Sequence, residues 1–258
     1  MRTLLFLTLA ACTTDTGKDS GDTAGDTGDT GDTGADLDPV CTEPTDVECV
    51  DEIIADLSLH DDKTSKGDVS NTQDGDDWVS EFDASAGGYS NSTKNAFLYM
   101  RFTDQGLEKL DITDEEALES MDWDLGGRRF VLRLNGGDSG PSCVGAAVMG
   151  QGWTYEEIEE VPEGVEFQVD DYYTEACSII NDSSGLPGSP QVVLGPWWDY
   201  SSCVETTDQP FLVQLASGRV LKLKIEQYYD GSGQEECNGQ GSTSAEGGYF
   251  VARWRFLN

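Results

Sequence analysis

The sequence predicts a mainly antiparallel β fold with a few short helices. The clearest evidence is residues 211–229, FLVQLASGRVLKLKIEQYY, in which two segments with a period of two residues flank Ser217-Gly218. Such a period places successive side chains on opposite faces of a strand. We expect a two-residue Ser-Gly turn between the strands, because glycine readily takes the positive φ of primed turns. Two further observations agree: other short strand-like segments alternate with Gly-rich turns, and only two segments have clear helical signals.

The two helical signals lie in the first half of the chain. Ile53, Ile54 and Leu57 stand at helical spacing within residues 50–59, which predicts a short helix. Thr113 is followed by Asp-Glu-Glu, a capping-box pattern, so a second helix is expected to start there. Residues 154–160 are compatible with either a weak helix or a loop.

Strands and loops account for the other elements. Besides the hairpin, strands are expected at residues 76–82, 95–102, 130–134, 165–173 and 249–256. Asn135-Gly136-Gly137 is expected to end its strand in a turn, and Gly-, Ser- or Pro-rich loops are expected at 181–190 and 235–248. The length of the chain beyond Val40 suits one domain, residues 41–258.

The N-terminus has the pattern of an export signal. An apolar run from Leu4 to Ala11 follows Arg2, and it is far shorter than the roughly 20 residues of a spanning helix. Leu9-Ala10-Ala11-Cys12 resembles a bacterial lipobox, which implies a signal peptide over residues 1–11 and lipid on Cys12. The alternative is an ordinary signal peptide cleaved after small residues. We expect an exported protein, lipid-anchored to the bacterial outer membrane or cell surface.

Residues 12–40 have the composition of a tether. Asp-Thr-Gly triplets repeat here without aromatic residues, so little apolar area is available to offset the entropy of ordering. The regular Asp spacing also suggests calcium binding, but calcium sites need a rigid turn that converges several oxygens. We therefore expect a disordered, lipid-anchored tether.

Six cysteines remain once Cys12 is lipidated. They are Cys41, Cys49, Cys143, Cys177, Cys203 and Cys237. An even number in an exported chain predicts three disulfides, although the spacing does not fix their pairing. We expect Cys41 to pair with its near neighbour Cys49, and the other four to pair among themselves. Thiolate metal binding is the alternative, but the chain has no CxxC pair.

The net charge of -35 restricts the partners of the chain. Only eight of the 50 acidic residues lie in the first 40 positions, so the domain itself is strongly acidic. Such a surface repels nucleic acid and anionic headgroups. We expect no nucleic-acid partner, and membrane attachment through the N-terminal lipid alone.

Several blocks, taken in order, carry a family resemblance. They are DDWVSEFDAS at 76–85, MDWDLGGRRFVLRLNGGDSG at 121–140, PWWDYSS at 196–202, SGRVLKLKIEQYYD at 217–230 and GGYFVARWRF at 247–256. Together they resemble the HmuY-like lipoproteins, known as haem-binding haemophores, over roughly residues 70–258. The resemblance implies a largely β domain that holds haem between loops at one end, with two axial His ligands in the founding type and Met in some relatives.

The chain departs from this pattern in its ligands. Its one histidine, His60, lies upstream of the matched region, so no family His ligand can be assigned within that region. Met149, in a loop-like setting, and Met121, before the Trp-Asp-Leu block, are the candidate haem ligands, beside Tyr side chains. Both methionines have core packing as the alternative role. Cys203 follows the Trp-Trp-Asp-Tyr block, where we expect a disulfide rather than a thiolate ligand.

Basic residues gather on the strands that resemble the family. Arg133, Lys222, Lys224 and Arg253 alternate with apolar residues, so they lie on the opposite face of each strand. One interpretation is contact with haem propionates. The other is pairing with Asp and Glu across neighbouring strands.

The residues favour binding over catalysis. The domain has no His beyond residue 60 to act as a general base, and no Gly-x-Ser-x-Gly or phosphate-loop motif. We therefore expect a non-enzymatic protein that captures haem or a related ligand. The alternative is a surface module on the same scaffold that has lost haem binding and contacts a host or surface protein or glycan.

Overall fold

Antiparallel sheets form most of the domain. The computed structural model describes residues 37–85, 93–150, 152–186 and 188–257. The predicted signal peptide, Cys12 and nearly all of the tether lie outside the described residues. Residues 37–258 cluster as one compact unit. Within the described part, no helix is long and apolar enough to cross a membrane.

Twelve strands, three short α-helices and a 3-10 helix at Gly195–Trp197 are among the described elements. The helices are α1 (Val50–Asp56), α2 (Asp114–Ala117) and α3 (Gly233–Gln240). The strands are β1 (Val69–Asp74), β2 (Asp77–Asp83), β3 (Leu98–Thr103), β4 (Gly106–Leu110), β5 (Leu125–Arg128), β6 (Val131–Leu134), β7 (Gly145–Val148), β8 (Trp198–Tyr200), β9 (Val204–Thr206), β10 (Phe211–Gln214), β11 (Val220–Tyr229) and β12 (Gly247–Phe256).

The strands form two main sheets and one small hairpin. The larger sheet has the order β1-β2-β12-β11-β10-β7, and the smaller has the order β4-β3-β5-β6. β8 and β9 pair separately. The ladders between these described strands are all antiparallel, which confirms the predicted fold class.

The period of two residues sets which side chains enter the core. Along β12, Phe250, Ala252 and Trp254 are buried, whereas the residues between them are half-buried. Phe250 stacks on Phe82 of β2 with ring centroids 4.9 Å apart. Full burial of each large apolar side chain stabilises the fold by about 1.5–3 kcal/mol.

The predicted hairpin is confirmed, but its two-residue turn is wrong. The N–H of Leu215 donates to the carbonyl of Arg219 at 2.8 Å, so three residues form the loop. The N–H of Gly218 donates to the carbonyl of Leu215 at 2.9 Å, and Gly218 has a φ of 85°. A turn closed by a left-handed residue is typical of three-residue hairpin loops, and it uses glycine at the end of the loop.

Both predicted helices are confirmed, with shorter bounds. Thr113 and Glu116 form the capping box in full, through Glu116 N–H to Thr113 Oγ1 at 3.2 Å and Thr113 N–H to Glu116 Oε2 at 2.8 Å. Residues 154–160 are turns, so the loop alternative holds there.

Two predicted segments are wrong. The expected loop at 235–248 contains most of α3, whose Gln234 side chain accepts from the N–H of Tyr228 at 2.9 Å and whose Cys237 is in a disulfide. These tertiary contacts override the poor helix propensity of a Gly-rich segment. The expected strand at 165–173 forms only isolated bridges, because its Asp170 turns inward to accept hydrogen bonds in the core.

The disulfides join Cys41 to Cys143, Cys49 to Cys177 and Cys203 to Cys237. Three disulfides are confirmed, but the expected local Cys41–Cys49 pair is wrong. Thr45 N–H donates to the carbonyl of Pro141 at 2.8 Å, which holds the N-terminal segment beside the turn that carries Cys143. Cys49 instead stands at the N-cap position of α1 and is bonded to Cys177, with the two Cα atoms 5.4 Å apart.

Candidate functional site

A cleft of about 980 Å³ opens beside the β8–β9 hairpin. Its walls come from Val148 at the end of β7 and from residues within 168–171, 181–184 and 191–200. This volume is in the range of about 300–1,000 Å³ that suits small-molecule ligands. The cleft therefore lies between the strand that precedes Met149 and the hairpin that carries Cys203.

Half of the described lining residues are polar, and exposed apolar side chains stand among them. Val148, Val169 and Tyr200 are 42%, 39% and 45% exposed, and all three line this cleft. Trp198 also lines it and packs on Phe130, with ring centroids 5.0 Å apart.

The charged groups of the cleft are acidic. Among the described residues that line it, Asp171, Asp182 and Asp199 are the charged side chains, and no Lys or Arg lines it. Asp182 has a structural role, because its Oδ1 accepts from the N–H of Ser184 at 3.0 Å. The described lining thus offers no cation to an anionic ligand group.

A buried carboxylate holds one wall in place. Asp170 is fully buried and accepts hydrogen bonds from Leu134 N–H at 3.0 Å, Ser139 Oγ at 2.6 Å and Val193 N–H at 2.8 Å. Burial raises the pKa of Asp170, while these hydrogen bonds and Arg133 oppose the rise. Because Val193 lines the cleft, Asp170 ties the cleft wall to β6.

The Asn-Gly-Gly-Asp-Ser-Gly block forms a hydrogen-bonded polar cluster behind that wall. Asn135 Nδ2 donates to the carbonyls of Ser120 at 2.9 Å and Trp123 at 2.8 Å. Asp138 accepts from the N–H of Tyr173 at 2.7 Å. Gly137 has a φ of 62°, and a Cβ there would lie 2.1 Å from the carbonyl oxygen of Asp170. The block thus has a scaffold role that its motif alone did not reveal.

The floor of the cleft is fixed from below. Trp197 Nε1 donates to the carbonyl of Phe130 at 3.2 Å. The N–H of Val204 donates to the Tyr229 hydroxyl at 2.9 Å, and the Cys203–Cys237 disulfide joins the hairpin to α3. The β8–β9 hairpin is therefore anchored on the larger sheet and on a helix.

The two candidate methionines lie elsewhere. Met149 is 5% exposed in a small apolar cluster with Ala147, Ile158 and Leu212. Met121 is half-buried and precedes β5 of the smaller sheet. Neither lines the cleft: Met149 follows β7 of the larger sheet, and Met121 precedes β5 of the smaller sheet. Met149 has the packing environment of the alternative interpretation, and ligation by either methionine stays a prediction.

Two of the candidate propionate contacts are buried. Arg133 is fully buried, and its Nη2 donates to the carbonyl of Ser139 at 2.6 Å. Lys222 is 3% exposed and donates from Nζ to the carbonyl of Tyr155 at 2.9 Å. Burial lowers the pKa of Lys222. Neither side chain lines the cleft.

The other two are ion-paired. Lys224 Nζ lies 3.2 Å from Glu156 and 3.3 Å from Glu226. Arg253 contacts Glu226 at 2.8 Å and Asp74 at 2.9 Å. These contacts fit the pairing interpretation, and propionate binding by any of the four cations stays a prediction.

A second cleft of about 630 Å³ does carry arginines. Arg219 and Arg255 line it together with Trp78 and Phe256. The Arg219 guanidinium lies 3.5 Å from the Phe256 ring centroid and 2.6 Å from Asp104, so its charge is already balanced. No His, Met, Cys or Tyr is among the described residues that line this cleft.

These features define a disulfide-bonded antiparallel β domain with a ligand-sized cleft beside a Trp-Trp-Asp-Tyr hairpin. The chain belongs to the HmuY family, because the family model described as HmuY protein matches residues 57–240. The match starts earlier than the predicted bound of residue 70, and it ends before the terminal strand. None of the curated proteins compared with the chain matches it.

Several solved structures match the chain at low identity and low TM-score. A proposed HmuY-like heme-binding protein from Bacteroides vulgatus ATCC 8482 is 17% identical, with a TM-score of 0.43, over 72% of this chain and 95% of that chain. A proposed lipoprotein from Bacteroides fragilis NCTC 9343 is 14% identical, with a TM-score of 0.44, over 71% and 93%. The apo HmuY analog of Tannerella forsythia is 14% identical, with a TM-score of 0.36, over 76% and 100%.

The donor set of the cleft can be compared with what haem requires. Proteins hold haem iron through His, Cys, Met or Tyr side chains. Among the described residues that line the cleft, Tyr200 is the one side chain of these types. His60 is not in the lining, and its Nε2 lies 3.2 Å from the carbonyl of Thr93. The described lining therefore offers neither a His nor a Met ligand to haem.

Proposed function

We propose that this protein captures haem or a closely related tetrapyrrole without chemical turnover. Membership of the HmuY family over residues 57–240 is the observation that carries the proposal. Trp198 and Tyr200 in the lining of the 980 Å³ cleft support it, since a flat macrocycle stacks on aromatic side chains. The cleft is the proposed binding site.

The proposal includes export and a lipid anchor. The three disulfides fit an oxidising compartment outside the cytoplasm. The Leu-Ala-Ala-Cys pattern at residues 9–12 supports lipidation at Cys12, followed by a tether over residues 12–40. Metabolic labelling with palmitate in a bacterial host should mark the wild-type chain and not Cys12→Ser. Equal labelling of both would refute the anchor.

A haemin titration tests the capture of haem. The protein carrying Cys12→Ser avoids lipidation and retains every residue of the domain. We expect a saturable shift of the Soret band at micromolar haemin, with one haem bound per chain. No saturable change in either the ferric or the ferrous state would refute haem capture.

The alternative function is a surface interaction module for a protein or glycan. Three carboxylates in the lining, without a described cation to meet propionates, favour this alternative. Screening the Cys12→Ser protein on a glycan array, with Tyr200→Ala as a cleft-impaired control, tests its glycan form. If the protein binds a glycan, Tyr200→Ala abolishes that binding, and the protein does not bind haemin, the alternative would be favoured.

A further inference from the structure

We propose that the free edge of β8 pairs with an extended, Lys- or Arg-rich segment of a partner protein that lies in the cleft. The inference goes beyond haem capture, and it gives the alternative function, a surface interaction module, a protein partner of defined chemistry. Three features support it: the direction of the β8 backbone groups, the charge of the cleft lining, and the exposed apolar side chains beside the strand.

β8 has one partner strand and one free edge. Among the described strands it pairs with β9 alone, in a two-stranded sheet. At one end of this pair, the N–H of Thr207 donates to the carbonyl of Trp197 at 3.1 Å. At the other end, the N–H of Ser201 donates to the carbonyl of Cys203 at 3.3 Å. Because backbone groups alternate sides along a strand, residues 197, 199 and 201 direct theirs towards β9.

The backbone groups of Trp198 and Tyr200 therefore point to the free edge. Within the described part of the chain, no hydrogen bond uses the backbone N–H or C=O of either residue. Side chains alternate between the two faces of β8, yet Trp198, Asp199 and Tyr200 all line the cleft. A cleft that receives residues from both faces of a strand runs along its edge. An extended peptide in this cleft can therefore add a strand beside β8.

The charge of the cleft selects the partner. Asp171 and Asp199 are exposed and line it, and in the described structure neither carboxylate has a hydrogen bond or an ion pair. Asp182, the third carboxylate, already accepts from the N–H of Ser184 at 3.0 Å. No Lys or Arg is among the described lining residues. The two unpaired carboxylates attract Lys or Arg side chains, and each exposed ion pair contributes about 0.2–1 kcal/mol.

Exposed apolar side chains provide further contacts. Val148 at the end of β7 is 42% exposed, Val169 is 39% exposed, and both line the cleft with Tyr200. A strand directs successive side chains to opposite faces. An added segment that alternates cationic and apolar residues therefore meets both the carboxylates and the valines, while its backbone pairs with β8.

Neither the tether nor a second copy of the chain has the required charge. Residues 13–40 contain eight Asp and one Lys. The whole chain has a net charge of -35, so two copies repel each other. The segment that fits the cleft therefore belongs to a different, cationic protein.

Fluorescence anisotropy with short labelled peptides tests the inference on the Cys12→Ser protein. The probe alternates Lys and Val over about seven residues, the length of an ordinary strand. It should bind saturably, and more weakly as the salt concentration rises. A peptide with Glu in place of Lys should not bind. Of two probes that carry N-methyl amides at their odd or their even residues, one should lose binding and the other keep it, because only one edge of the peptide faces β8.

Tyr200→Pro and Tyr200→Ala form a matched pair of variants. Both remove the phenol ring, and only Pro removes the N–H at the free edge, which β9 does not use. Tyr200→Pro should bind the probe roughly five-fold or more weakly than Tyr200→Ala, because a backbone hydrogen bond is lost. Asp171→Asn combined with Asp199→Asn should lower both the affinity and its salt dependence. Exposed Asp61→Asn, the control, should change neither.

The outcomes separate this inference from haem capture. Equal binding of the Lys and Glu peptides, or of the two methylated probes, would overturn it. The methylated probes leave the protein unchanged, so they test edge pairing even where Tyr200→Pro fails to fold. A dimer of the unmutated protein that Tyr200→Pro converts to a monomer would assign the edge to a second copy instead. In parallel haemin titrations, haemin binding without peptide binding would refute this inference alone, and peptide binding without haemin binding would refute haem capture alone.

Discussion

The carboxylate of Asp170 accepts a hydrogen bond from the backbone N–H of Val193 at 2.8 Å, and so joins the protein core to the wall of the cleft. The same carboxylate accepts from Leu134 N–H and Ser139 Oγ. The cleft is consequently built on a buried polar network rather than on loops alone.

Asp170→Ala should destabilise the domain strongly. The change leaves the N–H groups of Leu134 and Val193 without their acceptor and removes the carboxylate near buried Arg133. Breaking one partner of a buried charged pair costs about 3–5 kcal/mol. Urea unfolding measures the loss, with exposed Asp61→Ala as the control. A loss no larger than that of the control would contradict the role given to Asp170.

Gly137→Ala should be far more damaging than Gly164→Ala. Both glycines have positive φ, 62° and 82°, so each substitution incurs a backbone cost of about 1–2 kcal/mol. Only at Gly137 would the new Cβ meet a neighbour, the Asp170 carbonyl oxygen at 2.1 Å, whereas nothing lies within 4 Å at Gly164. The difference between the unfolding free energies of the two variants measures the cost of the contact between the new Cβ and the Asp170 carbonyl oxygen. Equal losses would show that the motif tolerates a side chain at residue 137.

Asp124 should make stability fall as the pH rises. It is 8% exposed, and burial raises its pKa from 3.8 to about 7, although the N–H of Phe102 donates to it at 2.8 Å. Between these two pH values the folded state binds more protons than the unfolded state. The stabilising contribution of protonated Asp124 is therefore fully present below pH 3.8 and is lost by about pH 7.

Asp124→Asn should therefore remove this pH dependence. Between pH 5 and pH 8, the free energy of unfolding of the wild type should fall by on the order of 2–4 kcal/mol more than that of Asp124→Asn. Urea unfolding at both pH values gives this comparison, with Asp61→Asn as an exposed control. A parallel pH dependence in wild type and Asp124→Asn would rule out this carboxyl as the cause.

The disulfide pairing gives a direct chemical prediction. Non-reducing peptide mapping should recover Cys41 linked to Cys143 and Cys49 linked to Cys177. Replacing Cys41 and Cys143 by Ser should cost about 4–5 kcal/mol, because this bond closes a long loop in the unfolded chain. The shorter loop of Cys203–Cys237 predicts about 3–4 kcal/mol. A recovered Cys41–Cys49 peptide would contradict the fold at its N-terminus.

Local signals in the sequence predicted the parts of the fold that depend on local physics. The alternation in 211–229 and the capping box at Thr113 are such signals, and both are confirmed. The ordered blocks around Trp123 and Trp197 also identified the family. Their information lies in neighbouring residues, which is why sequence alone reveals it.

The parts that were missed depend on long-range contacts. Cys41 meets Cys143 only because the N-terminal segment hydrogen-bonds to Pro141, and α3 forms because Gln234 and Cys237 have partners elsewhere in the chain. Asp170 was predicted to lie in a strand, and the three hydrogen-bond donors that surround its carboxylate come from distant parts of the chain. Tyr200 was visible within the Trp-Trp-Asp-Tyr block, but its place in a cleft with Val148 and Val169 needed the fold.

The central claim is that haem binds in the cleft beside Trp198. Val169→Glu and Val161→Glu form a matched pair, because the two valines are 39% and 38% exposed and only Val169 lines the cleft. In haemin titrations of the Cys12→Ser protein, Val169→Glu should weaken binding roughly ten-fold or more, since it adds bulk and a carboxylate to the site. Val161→Glu should bind haemin like the unmutated protein. Equal haemin affinity in all three proteins would contradict the placement of haem in this cleft.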